Sequence, residues 1–164
     1  MATVRRDIEA TFRRLRLEAI VCSAACGADL LAIEAAHALD IDVHVVLPFE
    51  PARFRATSVV DRPGDWGRLY DAAIADANAS SRLTILHGPF ASDDAAFTAA
   101  TCEIVHRARE LGGNDAVAIA IWDERPRDAN DFTAEFLKLA GAENMQRISI
   151  PTRRADAGPE ESTP

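Results

Sequence analysis

Five short apolar runs, each set between helix-like stretches, restrict the architectures open to this chain. Residues 18–24 (EAIVCSA), 42–48 (DVHVVLP), 82–87 (RLTILH), 115–122 (DAVAIAIW) and 145–150 (MQRISI) read as strands. The strongest, 115–122, is apolar at successive positions and does not alternate with polar residues. That is the pattern of a strand covered on both faces, as in a parallel sheet. The intervening stretches carry helical signals. Val4, Ile8, Phe12 and Leu15 recur at spacings of four and three across residues 3–16. Gly27 opens a helix over 28–39, Pro48 ends the second strand, and 50–57 fits a helical turn. Pro63 and Gly64 place 58–65 in a loop. Trp66, Leu69, Tyr70 and Ala73 then share one face of a helix over 66–79. Gly88-Pro89 stops the third strand, Asp93 or Asp94 supplies an N-cap for a helix to Leu111, and Gly112-Gly113 stops it. A polar loop at 123–131 precedes a helix over 131–140 that Gly141 ends.

The resulting order is α-β-α-β-α-β-α-β-α-β. Short apolar strands joined by helices imply right-handed crossovers and a parallel sheet covered on both faces. The expected fold is an α/β, three-layer, Rossmann-like doubly wound domain with a mostly parallel sheet of about five strands. Residues 1–151 form this single domain, and 152–164, rich in Pro, Glu, Ser, Thr and Arg, read as a disordered tail. Ligands in such sheets bind beyond the carboxyl ends of the strands, which directs attention to loops 23–29, 48–58, 87–94 and 122–133.

Composition removes several function classes. With 26 acidic and 18 basic residues the net charge is −8, which disfavours a nucleic-acid polymer. Arg5, Arg6, Arg13, Arg14 and Arg16 cluster, but on a helix they read as a solvated face. No apolar run approaches the roughly 20 residues needed to cross a bilayer. Met1 is followed by an Arg-rich segment without the apolar stretch of a secretory signal. Three cysteines make no complete disulfide framework, so the expected setting is a reducing cytoplasm.

The most informative stretch for chemistry is Ser23-Ala24-Ala25-Cys26-Gly27-Ala28-Asp29, which joins a strand to a helix through small residues. Small side chains let a ligand approach the backbone, and a helix N-terminus offers free N–H groups to an anion. Asp29 falls in the first helical turn, where its ordinary role is to stabilise or cap the helix end and its functional role would be to orient the loop or to hold a ribose hydroxyl. The stretch is neither a GxGxxG nor a Walker motif. Asp123 follows the strongest strand at its ligand-facing end. Cys22 and Cys26 lack the spacing of a zinc site, and Cys26 reads as a small buried thiol. No Ser or Cys with a nearby His forms a nucleophile pattern. Glu34 and Glu135 are the pair of carboxylates that glycoside chemistry would need, with solvation or Arg pairing as their ordinary role. Trp66 and Tyr70 read as core. No metal or cofactor is implied.

The run VCSAACGADLLAIEAAHALDIDVHVVLPF resembles the second βαβ unit of the SLOG superfamily, the DprA-like and LOG-like Rossmannoid proteins. Phe54, Ser58-Val59, Trp66 and Leu69 continue the likeness, and AIAIWD followed by TAEF resembles the family's late strand and helix start. The likeness covers about residues 4–151 and is most specific at 22–49. It implies a domain that binds nucleotides or nucleotide-derived ligands; some relatives cleave N-glycosidic bonds and others are sensors. Three departures stand out. The family's opening strand and its Gly-His-Arg-like turn have no counterpart ahead of helix 3–16. Phe132 stands where glycine is expected, before Thr133, Ala134 and Glu135, and Thr101 replaces an asparagine.

The expected function is a non-catalytic module that binds or senses a nucleotide-like small molecule. Its expected site is Ser23, Ala24, Gly27, Ala28, Asp29, Asp123, Thr133 and Glu135. A nucleotide N-glycoside hydrolase is the enzymatic alternative, and a scaffold with a lost pocket is the third reading. A sheet gap would favour the scaffold, and assembly with another copy of the chain stays open.

Overall fold

A computed structural model describes residues 2–122 and 132–152. The elements run α1 (Ala2–Leu15), β1 (Ala19–Cys22), α2 (Ala28–His37), β2 (Asp42–Leu47), α3 (Pro51–Ser58) and α4 (Trp66–Ala79). They continue with β3 (Leu83–Ile85), α5 (Asp93–Gly112), β4 (Val117–Trp122), α6 (Phe132–Ala142) and β5 (Gln146–Pro151). The chain is therefore α/β, with every strand pair parallel.

The five expected strands form, but not as one sheet. β1, β2 and β3 make a three-stranded sheet in that order, and β4 and β5 make a separate pair. The core forms two clusters that do not follow the sheets strictly. Residues of α1, α2, β2, α3 and α4 close around the first sheet together with Ile150 of β5, and Ile119 and Ile121 of β4 pack against them, while Val105, Ala116, Ala118, Ala140 and Met145 form a smaller cluster at the second sheet. Helix α5 spans both, contributing Ala96 to one and Val105 to the other. Between the sheets lies a cavity of about 970 Å³, bordered by β1 on one side and β4 on the other. The single-sheet expectation fails because, among the described residues, β1 pairs only with β2 and β4 only with β5.

Local rules explain the elements. The apolar stripe of α1 turns Ile8 and Phe12 fully into the core, while Glu9 accepts hydrogen bonds from Arg5 and Arg13 on the outer face. Four helix exits share one device. Arg16, Asp40, Ser81 and Asn144 all adopt left-handed φ values between 52° and 58°. The next residue's N–H reaches back five positions in each case: Leu17 to Phe12, Ile41 to Ala36, Arg82 to Ala77 and Met145 to Ala140. This closure satisfies the last carbonyls and delivers the chain straight into a strand. Helix α6 therefore runs through Gly141 and is stopped three residues later. At the start of α5 the cap is Ser92, whose Oγ accepts from the Ala95 N–H at 3.1 Å. Asp93 and Asp94 instead occupy the first turn, where they complement the helix dipole.

Candidate functional site

The small-residue stretch after β1 folds into a tight loop that carries the chain to α2. Asp29 organises it from within. Its Oδ2 accepts from the Ser23 hydroxyl at 2.6 Å and from the Ala25 N–H at 3.1 Å. From outside, the Cys26 N–H donates to the Ser58 carbonyl at 3.0 Å, tying the loop to the end of α3. Two positions need unusual backbone. Ala24 sits at φ 61° and is fully buried, and Gly27 sits at φ 90°, ψ −112°. A side chain at Gly27 would meet no atom within 4 Å. The space above it is open, so glycine is required there by conformation and not by crowding.

No side chain caps the N-terminus of α2. Its first-turn N–H groups have no partners inside the helix. Ala28 belongs to this turn. The loop thus combines an uncapped helix end with a carboxylate already committed to holding the loop's own shape. Gly27→Ala should lower stability by about 1–3 kcal/mol, because alanine resists this backbone conformation. A urea titration checks this, and an unchanged midpoint would mean that the loop can relax away from the observed geometry.

The surroundings are mixed in charge. Burial pushes the Cys26 thiol upward, with the nearby Arg62 guanidinium opposing. Burial and the Asp29 carboxylate also push Cys22 up. Neither sulfur is poised as a thiolate. Arg62 supplies positive charge close to the loop, a role that a Pro/Gly-marked turn gave no sign of in the sequence. Across the next loop, Arg53 donates to Asp93 Oδ1 at 2.7 Å and covers the Phe49 ring at 3.9 Å. It fastens the exit of β2 to the start of α5.

The other expected site residues are disposed differently. Thr133 and Glu135 lie in the first turn of α6. Both carboxylate oxygens of Glu135 accept from the Thr98 hydroxyl, at 3.1 and 3.2 Å, so this side chain fastens α6 to α5. Phe132 does the same with its ring, 5.3 Å from that of Phe97. The bulk of Phe132 is thus spent on packing. Thr101 is buried and donates to the Phe97 carbonyl within its own helix. Glu34 lines a groove with Arg5, His37 and Leu69 among α1, α2 and α4, so it and Glu135 occupy separate places. Asp123 lies outside the described residues, as does the tail at 153–164. Tyr70 is core, its hydroxyl donating to the Pro51 carbonyl at 3.0 Å.

The loop and the cavity between the sheets adjoin. Cys22 and Asp29 line the cavity at the carboxyl end of β1, and Ile121 lines it from β4. His44 lines it too, with burial and the nearby Arg82 and Arg107 lowering its pKa and favouring neutral imidazole. Among the described residues, no helix is long and apolar enough to cross a membrane. No protein-family model, curated protein or solved structure matches the chain.

Proposed function

We propose that this chain is a non-catalytic ligand-binding module that takes a nucleotide, or an anion derived from one, at the loop between β1 and α2. The observation that carries the reading is the uncapped start of α2 beside the open space at Gly27. A phosphate fits such a place through backbone N–H groups and the helix dipole. Ser23, Ala24 and Asp29 then act as the frame that keeps the N–H groups aimed. The loop follows the carboxyl end of a parallel strand, where Rossmann-like, doubly wound domains hold their ligands. In this reading Thr133 is a further candidate contact, at the start of the helix after β4. The net charge of −8 suits a small ligand better than a polyanionic chain.

Thermal unfolding against nucleoside mono-, di- and triphosphates, NAD, ADP-ribose and cyclic nucleotides tests the proposal. A ligand at 100 times its Kd stabilises the native state by about 2.7 kcal/mol. For a chain of this size that raises the melting temperature by about 5–10 °C. A cooperative unfolding transition that none of these compounds moves would overturn the reading.

A further inference from the structure

We propose that β4, α6 and β5 form a leaf that opens by itself, as one cooperative unit, while β1, β2, β3 and helices α1–α5 stay folded. This goes beyond the ligand-binding reading and stands on different observations. The first is the missing main-chain link. The two sheets share no ladder. Among the described residues, no backbone hydrogen bond joins 117–122 or 132–151 to residues 2–92. Neighbouring strands of one sheet cannot part without breaking such bonds, and these two sheets have none to break.

The second is how unevenly apolar surface is buried. The cluster at the first sheet encloses large side chains, among them Phe12, Leu30, Ile33, Phe54 and Tyr70. The cluster at the leaf is Ala116, Ala118, Ala140 and Met145 against Val105 of α5. A buried alanine hides one methyl group, so this cluster holds far less hydrophobic free energy. The leaf also enters the larger core, but lightly: Ile150 is 4% exposed, while Ile119 and Ile121 are only partly buried. Four of the six residues of β5 are exposed. Segments with few buried apolar contacts open at a lower free energy than the global core.

The third is where the leaf is attached. Its ring and side-chain bonds run to α5: Phe132 meets the Phe97 ring at 5.3 Å, and Glu135 accepts from the Thr98 hydroxyl at 3.1 and 3.2 Å. Helix α1 also packs on β5, without a backbone bond. Helix α5 packs on β1 and β2, so it stays behind as the wall from which the leaf lifts. The leaf follows α5 in sequence, and the join is Gly112-Gly113. Gly113 sits at φ 54°, and a side chain there would meet no atom within 4 Å. Opening therefore needs movement at one exposed turn and no threading of the chain. It leaves the loop between β1 and α2 intact, because the bonds of Asp29 to Ser23 and Ala25, and of Cys26 to Ser58, all lie on the retained side.

Amide hydrogen exchange of the full chain, followed residue by residue by NMR at urea concentrations below the unfolding transition, tests this. The slowest amides of β4 and β5 are expected to exchange at least about tenfold faster than the slowest amides of β2. Their rates should also depend less on urea, because opening the leaf exposes less surface than global unfolding. Two variants check that the units are distinct. Val45→Ala, at a fully buried site of the first sheet, weakens the open and closed forms alike relative to the unfolded chain. It is expected to speed exchange in β2 about tenfold and to leave β4 and β5 unchanged. Met145→Ala weakens only the closed form, so exchange in both sheets should quicken. If Val45→Ala does not fold, Ile33→Val takes its place, with about three- to tenfold faster exchange in β2 alone. One rate and one urea dependence shared by both sheets would overturn the proposal. So would a first-sheet variant that speeds β4 and β5 as much as β2. No nucleotide enters the experiment, so its outcome is separate from that of the ligand-binding reading.

Discussion

Phe54→Ala is expected to lower the melting temperature by about 10 °C, corresponding to a loss of roughly 3–5 kcal/mol. Phe54 is 1% exposed and is the one fully buried residue of α3. Its ring stacks on Tyr70 at 6.1 Å and meets Phe97 at 6.3 Å. Phe97 in turn contacts Phe49 edge-on at 5.5 Å and Phe132 at 5.3 Å. Truncating Phe54 therefore opens a cavity where the end of β2, α3, α4 and α5 meet, and the surrounding rings are too stiff to fill it. Leu111→Ala, at a position 48% exposed, provides the comparison and should change stability by no more than about 0.5 kcal/mol. Urea denaturation of both variants, with the slope unchanged, separates them. A loss below about 1 kcal/mol for Phe54→Ala would mean that α3 does not pack as described.

Asp29→Ala carries the second large effect. It removes the acceptor of the Ser23 hydroxyl and of the Ala25 N–H together. Hydrogen bonds to a charged group contribute about 1.5–3 kcal/mol, and a donor left half-buried without a partner adds a penalty of its own. The same carboxylate helps hold Ala24 in a left-handed conformation that alanine disfavours. A total loss of about 2–4 kcal/mol is expected. Ser23→Ala, which removes one bond and leaves the Ala25 contact, should cost clearly less. Asp29→Asn keeps an acceptor oxygen and should fall between the two. Chemical denaturation of the three variants gives the order. An Asp29→Ala protein as stable as the parent would show that the loop does not depend on this side chain, and the frame of the proposed site would fail with it.

The elements that could be read from sequence are those set by local pattern. The stripe Val4-Ile8-Phe12-Leu15 gives α1, and the run VAIAIW gives β4, because periodicity and burial act within a few residues. The helix exits at Arg16, Asp40, Ser81 and Asn144 were not legible, because none is the glycine that usually marks a left-handed cap. Their conformation is enforced by the backbone bond that follows, and for Leu17, Ile41 and Met145 by an apolar side chain entering the core. Ser92 was displaced as a candidate cap by the two aspartates beside it. The division into two sheets was not legible either. Which strands become neighbours depends on pairings between distant segments, and nothing in EAIVCSA or DAVAIAIW says that one edge of each stays open.

The candidate site divides along the same line. The loop at 23–29 was legible because small residues, a glycine and a first-turn acid stand in one contiguous stretch. What Asp29 does there, folding back on Ser23 and Ala25 to hold the loop, follows from three-dimensional closure. Glu135 looks like a pocket residue in a linear reading, and Phe132 looks like bulk intruding on that pocket. Their partners, Thr98 and Phe97, lie more than thirty positions away on α5, so their packing role emerges only in the folded chain. The anchor at the Ser58 carbonyl was similarly hidden in a segment marked only by its turn residues.

The most direct test of the ligand-binding account is a backbone amide NMR titration of the full chain with the nucleotide panel. The account predicts that at least one phosphate-bearing compound shifts the amides of residues 25–30 first and most strongly, saturably, and that Gly27→Ala weakens the effect. Saturable shifts centred elsewhere, or none with any compound, would contradict it.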